Sequence, residues 1–212
     1  SSDLTYERLY LDKQQIQNSI DYIHGKAKLF NTVENNNMVL GIDEYLTDER
    51  KDRETEFIAF KKFYQRIYKE TGCKYKDWVE TIREEYDDFL QEKERIINRA
   101  NEYVGNDVQR MMHRLQASAV RDQKCKMHNV YIFGHSLDIT DKDILRELIL
   151  NENVYTTIFY LNRDVMGQQI ANLVKIIGQD ELIRRTGGKS KTIEFKQQDR
   201  KSTRLNSSHQ EP

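Results

Sequence analysis

The sequence has 212 residues, a net charge of −1 at pH 7 despite 33% charged residues, and two cysteines. That length holds one domain, or one domain with an insertion, and the evenly mixed charge excludes a nucleic-acid binder held by a broad basic field. No stretch approaches the roughly 18 apolar residues of a membrane span, no signal-peptide pattern is present, and Cys73 and Cys125 make no disulfide framework, so a reduced, cytoplasmic protein is expected.

The chain opens Ser1-Ser2-Asp3 without a methionine, and we expect its natural start to lie upstream. Asp21 to Phe30, "DYIHGKAKLF", and Met38 to Leu40 read as short extended pieces, separated by the turn-rich "NTVENNN". From about Asp48 the pattern becomes helical, with Phe57, Phe60, Tyr64, Ile67 and Tyr68 recurring on one face, where core packing is expected. "ETGCKYKD" interrupts it, and Gly72 is read as the helix end. A second run carries Trp78, Val79, Ile82, Tyr86, Phe89 and Leu90 and continues through Ile96 and Ile97. A third, around Val108 to Val120, carries Met111, Met112, Leu115 and Ala119.

An alternation follows. Val130–Phe133 reads as a strand, Asp141–Leu150 as a helix, Val154–Leu161 as a strand, and Gln168–Arg185 as one longer helix with Ile170, Leu173, Val174 and Ile177 inward. Thr192–Phe195 is a last short strand. Strands alternating with helices predict an α/β fold with a parallel sheet. We divide the chain into 1–47, part of the α/β domain; 48–122, a helical insertion; and 123–198, the C-terminal α/β portion. "DRKSTRLNSSH", Asp199–His209, resembles the conceptual translation of a common sequencing adapter, so 199–212 is set aside as an artefactual tail.

Three motifs are decoys. "TGGKS", Thr186–Ser190, lacks the first glycine of a phosphate-binding loop, Ile183 standing in its place, and it follows a helix rather than a strand. "CKMH", Cys125–His128, has no second pair at metal-site spacing. "GHSLD", Gly134–Asp138, sits where a nucleophile elbow would, but Asp138 replaces the glycine that the elbow needs, and no histidine follows Ser136 before the tail.

The stretch Gly134 to Asp141 nevertheless stands where parallel sheets hold ligands, outside the carboxyl end of a strand. Capping explains part of its polarity, with Thr140 and Asp143 as a capping-box-like pair and Asp141 at the positive helix end. A binding crevice explains the rest. A glycine at the strand tip admits a ligand to the backbone, and Ser136 and Asp138 hydrogen-bond hydroxyls. The carboxylates would repel a phosphate, so ribose or another neutral polar group is expected beside them. His24, followed by Gly25, repeats the arrangement, and imidazole is the side chain that changes charge closest to working pH.

In order along the chain, "YIHGK", "MVLGIDEY", "FIAFKKFYQRIYKETGCKYKDW", "VYIFGHSLDITDKDILREL" and "GQQIANLVKIIGQDELIRRTGG" resemble the bacteriophage abortive-infection AbiH family, from about residue 5 to residue 197. That family is similar, more distantly, to sirtuin-like NAD-binding domains, which implies a Rossmann-like sheet with NAD as a possible substrate and no metal. By this likeness His24 is the general base. Gly25 belongs to the same element, and Gly134, Ser136 and Leu137 match the element that contacts the nucleotide. With His135, and with Asp138 and Asp141 as the AbiH family's own addition, they are expected to form the nucleotide-binding walls. The resemblance also implies a Gly-rich strand–turn ahead of "TYERLY", and we expect the chain without it to lack half the pocket and to be inactive. A phage-derived trigger and a homo-oligomer are further possible partners. Two alternatives stay open: a metal-dependent nuclease or other phosphoryl enzyme using Asp138, Asp141 and Asp143, and a non-catalytic sensor or toxin presenting the helical block to a partner.

Overall fold

The computed structural model of the chain describes residues 21–25, 36–40 and 58–198. The expectations for residues 26–30, for Phe57 and for the tail 199–212 lie outside the described residues. The chain divides into two compact units, Ser1–Asp77 and Trp78–Pro212.

In the first unit, a single 3-10 turn at Ile58–Phe60 leads into α1, Lys62–Tyr68. The expected helix break after α1 is present, but the residue that turns the chain is Glu70, at a φ of +49°. Gly72 serves a different purpose, since a Cβ there would meet Asp21 Oδ1 at 2.3 Å. The aromatic face of this stretch is not core as expected: Phe60, Phe63, Ile67 and Tyr68 are exposed, while Arg66 is buried. Asp21 to Gly25 is also not a strand but a turn, closed by the Gly25 amide donating to the Tyr22 carbonyl at 2.7 Å.

α2 begins at Lys74 and runs to Glu102, and α3 spans Asp107–Arg121. Asn106 caps α3 by accepting from the Gln109 amide at 2.9 Å, which satisfies one of the donors that every helix start leaves open. The larger apolar side chains of α3 point outward, with Val108, Met111, Met112 and Leu115 exposed and Ala117 buried.

The second unit contains the predicted α/β alternation. β1 is His128–Ile132, α4 is Lys142–Ile149, β2 is Val154–Tyr160, and β3 is Ile193–Gln197. The three strands lie in the order β1-β2-β3, parallel throughout, with Ile132 opposite Ile158 and Ile158 opposite Phe195. Between β2 and β3 the single helix expected over 168–185 is two, α5 (Arg163–Ile177) and α6 (Gln179–Thr186). They meet at Gly178, whose φ of +87° ends one helix and starts the next.

A strand order that follows the chain sends each right-handed crossover to the same face. Accordingly, Leu145 and Ile149 of α4, Leu173, Ile176 and Ile177 of α5, and Leu182 of α6 share one buried cluster with Ile158 and Ile193 of the sheet. Period-two alternation puts Tyr131 and Phe159 on the opposite face, with their rings 6.5 Å apart. No helix among the described residues is long and apolar enough to cross a membrane.

Candidate functional site

β1 leaves the sheet at Phe133, and the chain then makes the turn Gly134–Asp141 outside its carboxyl end. Gly134 has a φ of +62°, and a Cβ at that position would have nothing within 4 Å. Its glycine therefore meets a backbone requirement and leaves the turn open on that side.

The next residues are fixed by their own side chains. Leu137 also has a positive φ, +57°, which is uncommon for a residue with a Cβ. Its side chain is wholly buried in the core cluster, and its amide donates to His135 Nδ1 at 2.9 Å. A ring whose Nδ1 accepts carries its proton on Nε2 when neutral, and Nε2 lies 3.4 Å from Asp141 Oδ2. Asp141 is buried, while the His135 side chain is 37% exposed.

Asp138 accepts from the Thr140 amide at 3.0 Å and starts the 3-10 turn Ile139–Asp141, which runs on into α4. This corrects the capping expectation. The cap is Asp138, and Thr140 lies inside the turn. Ser136 is exposed, and Asp143 faces solvent on the first turn of α4. The aspartates do not point to a common centre, because Asp138 is turned to a backbone amide and Asp141 to His135.

Two residues that the sequence reading missed hold the turn from behind. Gln169 Nε2 donates to the His135 carbonyl at 3.0 Å and reaches the Phe159 carbonyl at 3.4 Å. Asn172 Nδ2 donates to the Ser136 carbonyl at 2.9 Å and is itself steadied by Gln168, whose Nε2 donates to Asn172 Oδ1 at 3.0 Å. Gln169 and Asn172 are both buried. The signal was available in "GQQIANLVKII": the inward stripe of α5 is Gln169, Asn172, Leu173, Ile176 and Ile177, and two carboxamides on such a stripe need partners. Val174, expected inward, is at the solvent boundary at 36% exposure.

His24 and Gly25 lie in the first unit, at the tip of the Tyr22–Gly25 turn. The His24 carbonyl accepts from the Val39 amide at 2.8 Å. Gly25 has a φ of +73°, and a Cβ there would meet the Asn37 carbonyl oxygen at 2.0 Å, so no other residue fits. The turn is braced by the following helical stretch. Thr71 Oγ1 donates to the Ile23 carbonyl at 2.9 Å, and Asp21 accepts from the Tyr75 amide at 3.1 Å. Lys69 donates to the Met38 carbonyl, while the Gln65 carboxamide pairs with both backbone groups of Leu40. Thus "YIHG", "MVL" and "FYQRIYKETGCKY", distant in sequence, form one local structure.

The model of the family described as bacteriophage abortive infection AbiH matches residues 4–161, spanning both turns and the helices between them. The chain belongs to the AbiH family. Its function is accordingly abortive infection, a defence against bacteriophage. The match ends one residue past β2, so α5, with Gln169 and Asn172, lies beyond the part that this AbiH chain shares with the family model. No curated protein and no solved structure matches the chain.

Proposed function

We propose that this AbiH protein binds a nucleotide at the carboxyl end of β1 and cleaves its glycosidic bond, with NAD as the substrate. The observation that carries the reading is the Gly134–Asp141 turn. It is open at Gly134, polar at Ser136, and pinned by two buried carboxamides at the ligand-binding end of a parallel sheet. A turn built only to start α4 would need the Asp138 cap and no more.

On this reading Gly134, Ser136 and the Asp138 carboxylate receive the ribose hydroxyls, while His135, Leu137 and Asp141 set the shape of the wall. Cleavage of the bond between nicotinamide and ribose develops positive charge on the sugar. Fixed carboxylates and carbonyls stabilise such charge without reorganising. His24 is the proposed base, taking a proton from a ribose hydroxyl or from water, and Gly25 shapes its turn. Depleting NAD would stop the growth of an infected cell, which is how the reaction would serve phage defence.

The test follows nicotinamide release from NAD by chromatography on the full-length protein, with phage lysate present as trigger. Release that is lost in His24→Ala supports the reading. A folded full-length protein that neither releases nicotinamide nor binds NAD or ADP-ribose in calorimetry overturns it.

A further inference from the structure

We infer that His135 is a positioning residue that latches the Gly134–Asp138 turn through the Leu137 amide, and that a second proton on its ring releases the latch. The inference deepens the proposed nucleotide site and rests on that reading for its consequence, though not for its geometry.

A leucine at a φ of +57° does not hold that conformation by preference. Two things oblige it to. Its side chain is locked into the core at 0% exposure, and its amide is captured by His135 Nδ1 at 2.9 Å. The carbonyls on either side of the latch are also tied, that of His135 to Gln169 and that of Ser136 to Asn172. Among these ties to the backbone of residues 135–137, the imidazole is the one ionisable side chain, and it contributes as a hydrogen-bond acceptor.

That acceptor exists only in the neutral ring, because protonation adds a hydrogen at Nδ1, pointing at the Leu137 N–H. Two donors would then face each other across 2.9 Å. The charged residue in contact with the ring is Asp141; Asp138, Lys142 and Asp143 are its charged neighbours along the chain, and Gln169 and Asn172 of α5 tie the adjoining carbonyls. Asp141 Oδ2 faces Nε2 at 3.4 Å, on the side of the ring away from the latch. The sign follows. The latched turn binds one proton fewer than the released turn, so the latch is present at higher pH and is lost as pH falls through the titration of the His135 ring.

Ring geometry distinguishes this role from mere packing. The substitution His135→Asn would place an acceptor oxygen on Cγ, where the imidazole has Nδ1, and would not titrate; a glutamine would place its polar atoms one bond further out. The experiment uses the full chain with labelled histidine nitrogen. Two-bond proton–nitrogen NMR spectra read the His135 tautomer, and hydrogen exchange reads the Leu137 amide, both across a pH series. The expected results are an Nε2–H tautomer at high pH and a Leu137 amide that loses protection in step with ring protonation. In His135→Asn that protection should be retained at every pH, and in His135→Gln and His135→Ala it should be lost. NAD affinity, measured by calorimetry, should fall roughly tenfold on acidification in the native chain, the size of one hydrogen bond, and should stay flat in His135→Asn. An Nδ1–H tautomer, a Leu137 amide indifferent to ring protonation, or a glutamine variant as protective as the asparagine one would overturn the latch. NAD that fails to bind at any pH, with the amide behaving as expected, would leave the latch standing and remove the nucleotide reading.

Discussion

The two ends of the sheet in the second unit are built from different chemistry. At the amino end, the Arg185 side chain is 1% exposed and surrounded by acceptors: the carbonyls of Ile149, Leu150 and Asn151, the Thr192 hydroxyl, and the carboxylates of Glu152 and Glu181. Asn153 adds a tie to the Ile82 carbonyl of α2 at 2.7 Å, and His128 pairs with Glu85 at 2.8 Å. At the carboxyl end the turn is held from behind by the carboxamides of Gln169 and Asn172, with the His135 ring and the Asp138 cap within the turn itself, and it stays open at Gly134. Charge and burial close one end. Carboxamides hold the other in shape without filling it.

The largest effect should come from the closed end. Arg185→Met keeps roughly the volume of the side chain but takes a donor from the carbonyls of Ile149, Leu150 and Asn151 and leaves Glu152 and Glu181 with Arg184 alone. We expect a loss of about 3 kcal/mol or more, read from urea unfolding followed by the fluorescence of Trp78, the sole tryptophan. The comparison breaks if this variant unfolds no earlier than the native chain. The same cluster makes a pH prediction. Hydrogen bonds from Arg184 and then Arg185 hold Glu181 down from 4.5 to about 2. A carboxylate depressed in the folded state stabilises above its unfolded value and loses that contribution as pH falls through the folded one. Unfolding midpoints should therefore drop between pH 4.5 and about 2, and drop less steeply in Glu181→Gln. Part of the Glu181 side chain is in solvent, at 30% exposure, so added salt should shrink the difference.

At the open end the middle-sized effect belongs to Gln169. Gln169→Leu fits the helix and suits the apolar surroundings, yet leaves the His135 carbonyl without its donor. About 1–2 kcal/mol should be lost, and exchange of the Leu137 amide should quicken, while the amides of β3, on the far side of the sheet, keep their protection. Loss of protection spread evenly over the sheet would mean that Gln169 supports the whole unit, and the distinction between the two ends would fail.

How much of this was legible in the sequence depends on the range of the interaction. The strand–helix alternation and the turn after β1 follow from local periodicity, and both were readable. The division of 168–185 into two helices was not, because an isolated glycine such as Gly178 is tolerated inside a helical pattern. The inward face of α1 was misread. Phe60, Ile67 and Tyr68 have core-like spacing but are exposed, while Arg66 is buried, an outcome set by tertiary contacts that spacing does not encode. Gln169, Asn172 and Arg185 were missed for a related reason. Polar and charged residues look like a solvated face until the carbonyls they must satisfy are known, and those carbonyls lie about 35 residues away in sequence. The motif "YIHG" was read as the end of an extended piece and is a turn, because its supports Gln65, Lys69 and Thr71 were readable only as helix.

The smallest effect separates capping from binding at one residue. Asp138 accepts from the Thr140 amide, so Asp138→Ala should cost about 1 kcal/mol, the usual value of a lost cap. Serine is an equally good cap but has no carboxylate. Asp138→Ser should therefore unfold within a few tenths of a kcal/mol of the native chain. If the carboxylate also receives a ribose hydroxyl, the same variant should bind NAD roughly tenfold more weakly despite its intact fold, since hydrogen bonds to charged groups are worth about 1.5 kcal/mol or more. Equal affinity in the serine variant would assign Asp138 wholly to starting α4. The open end of the sheet would then rest on Gly134, Ser136 and the carboxamides behind them.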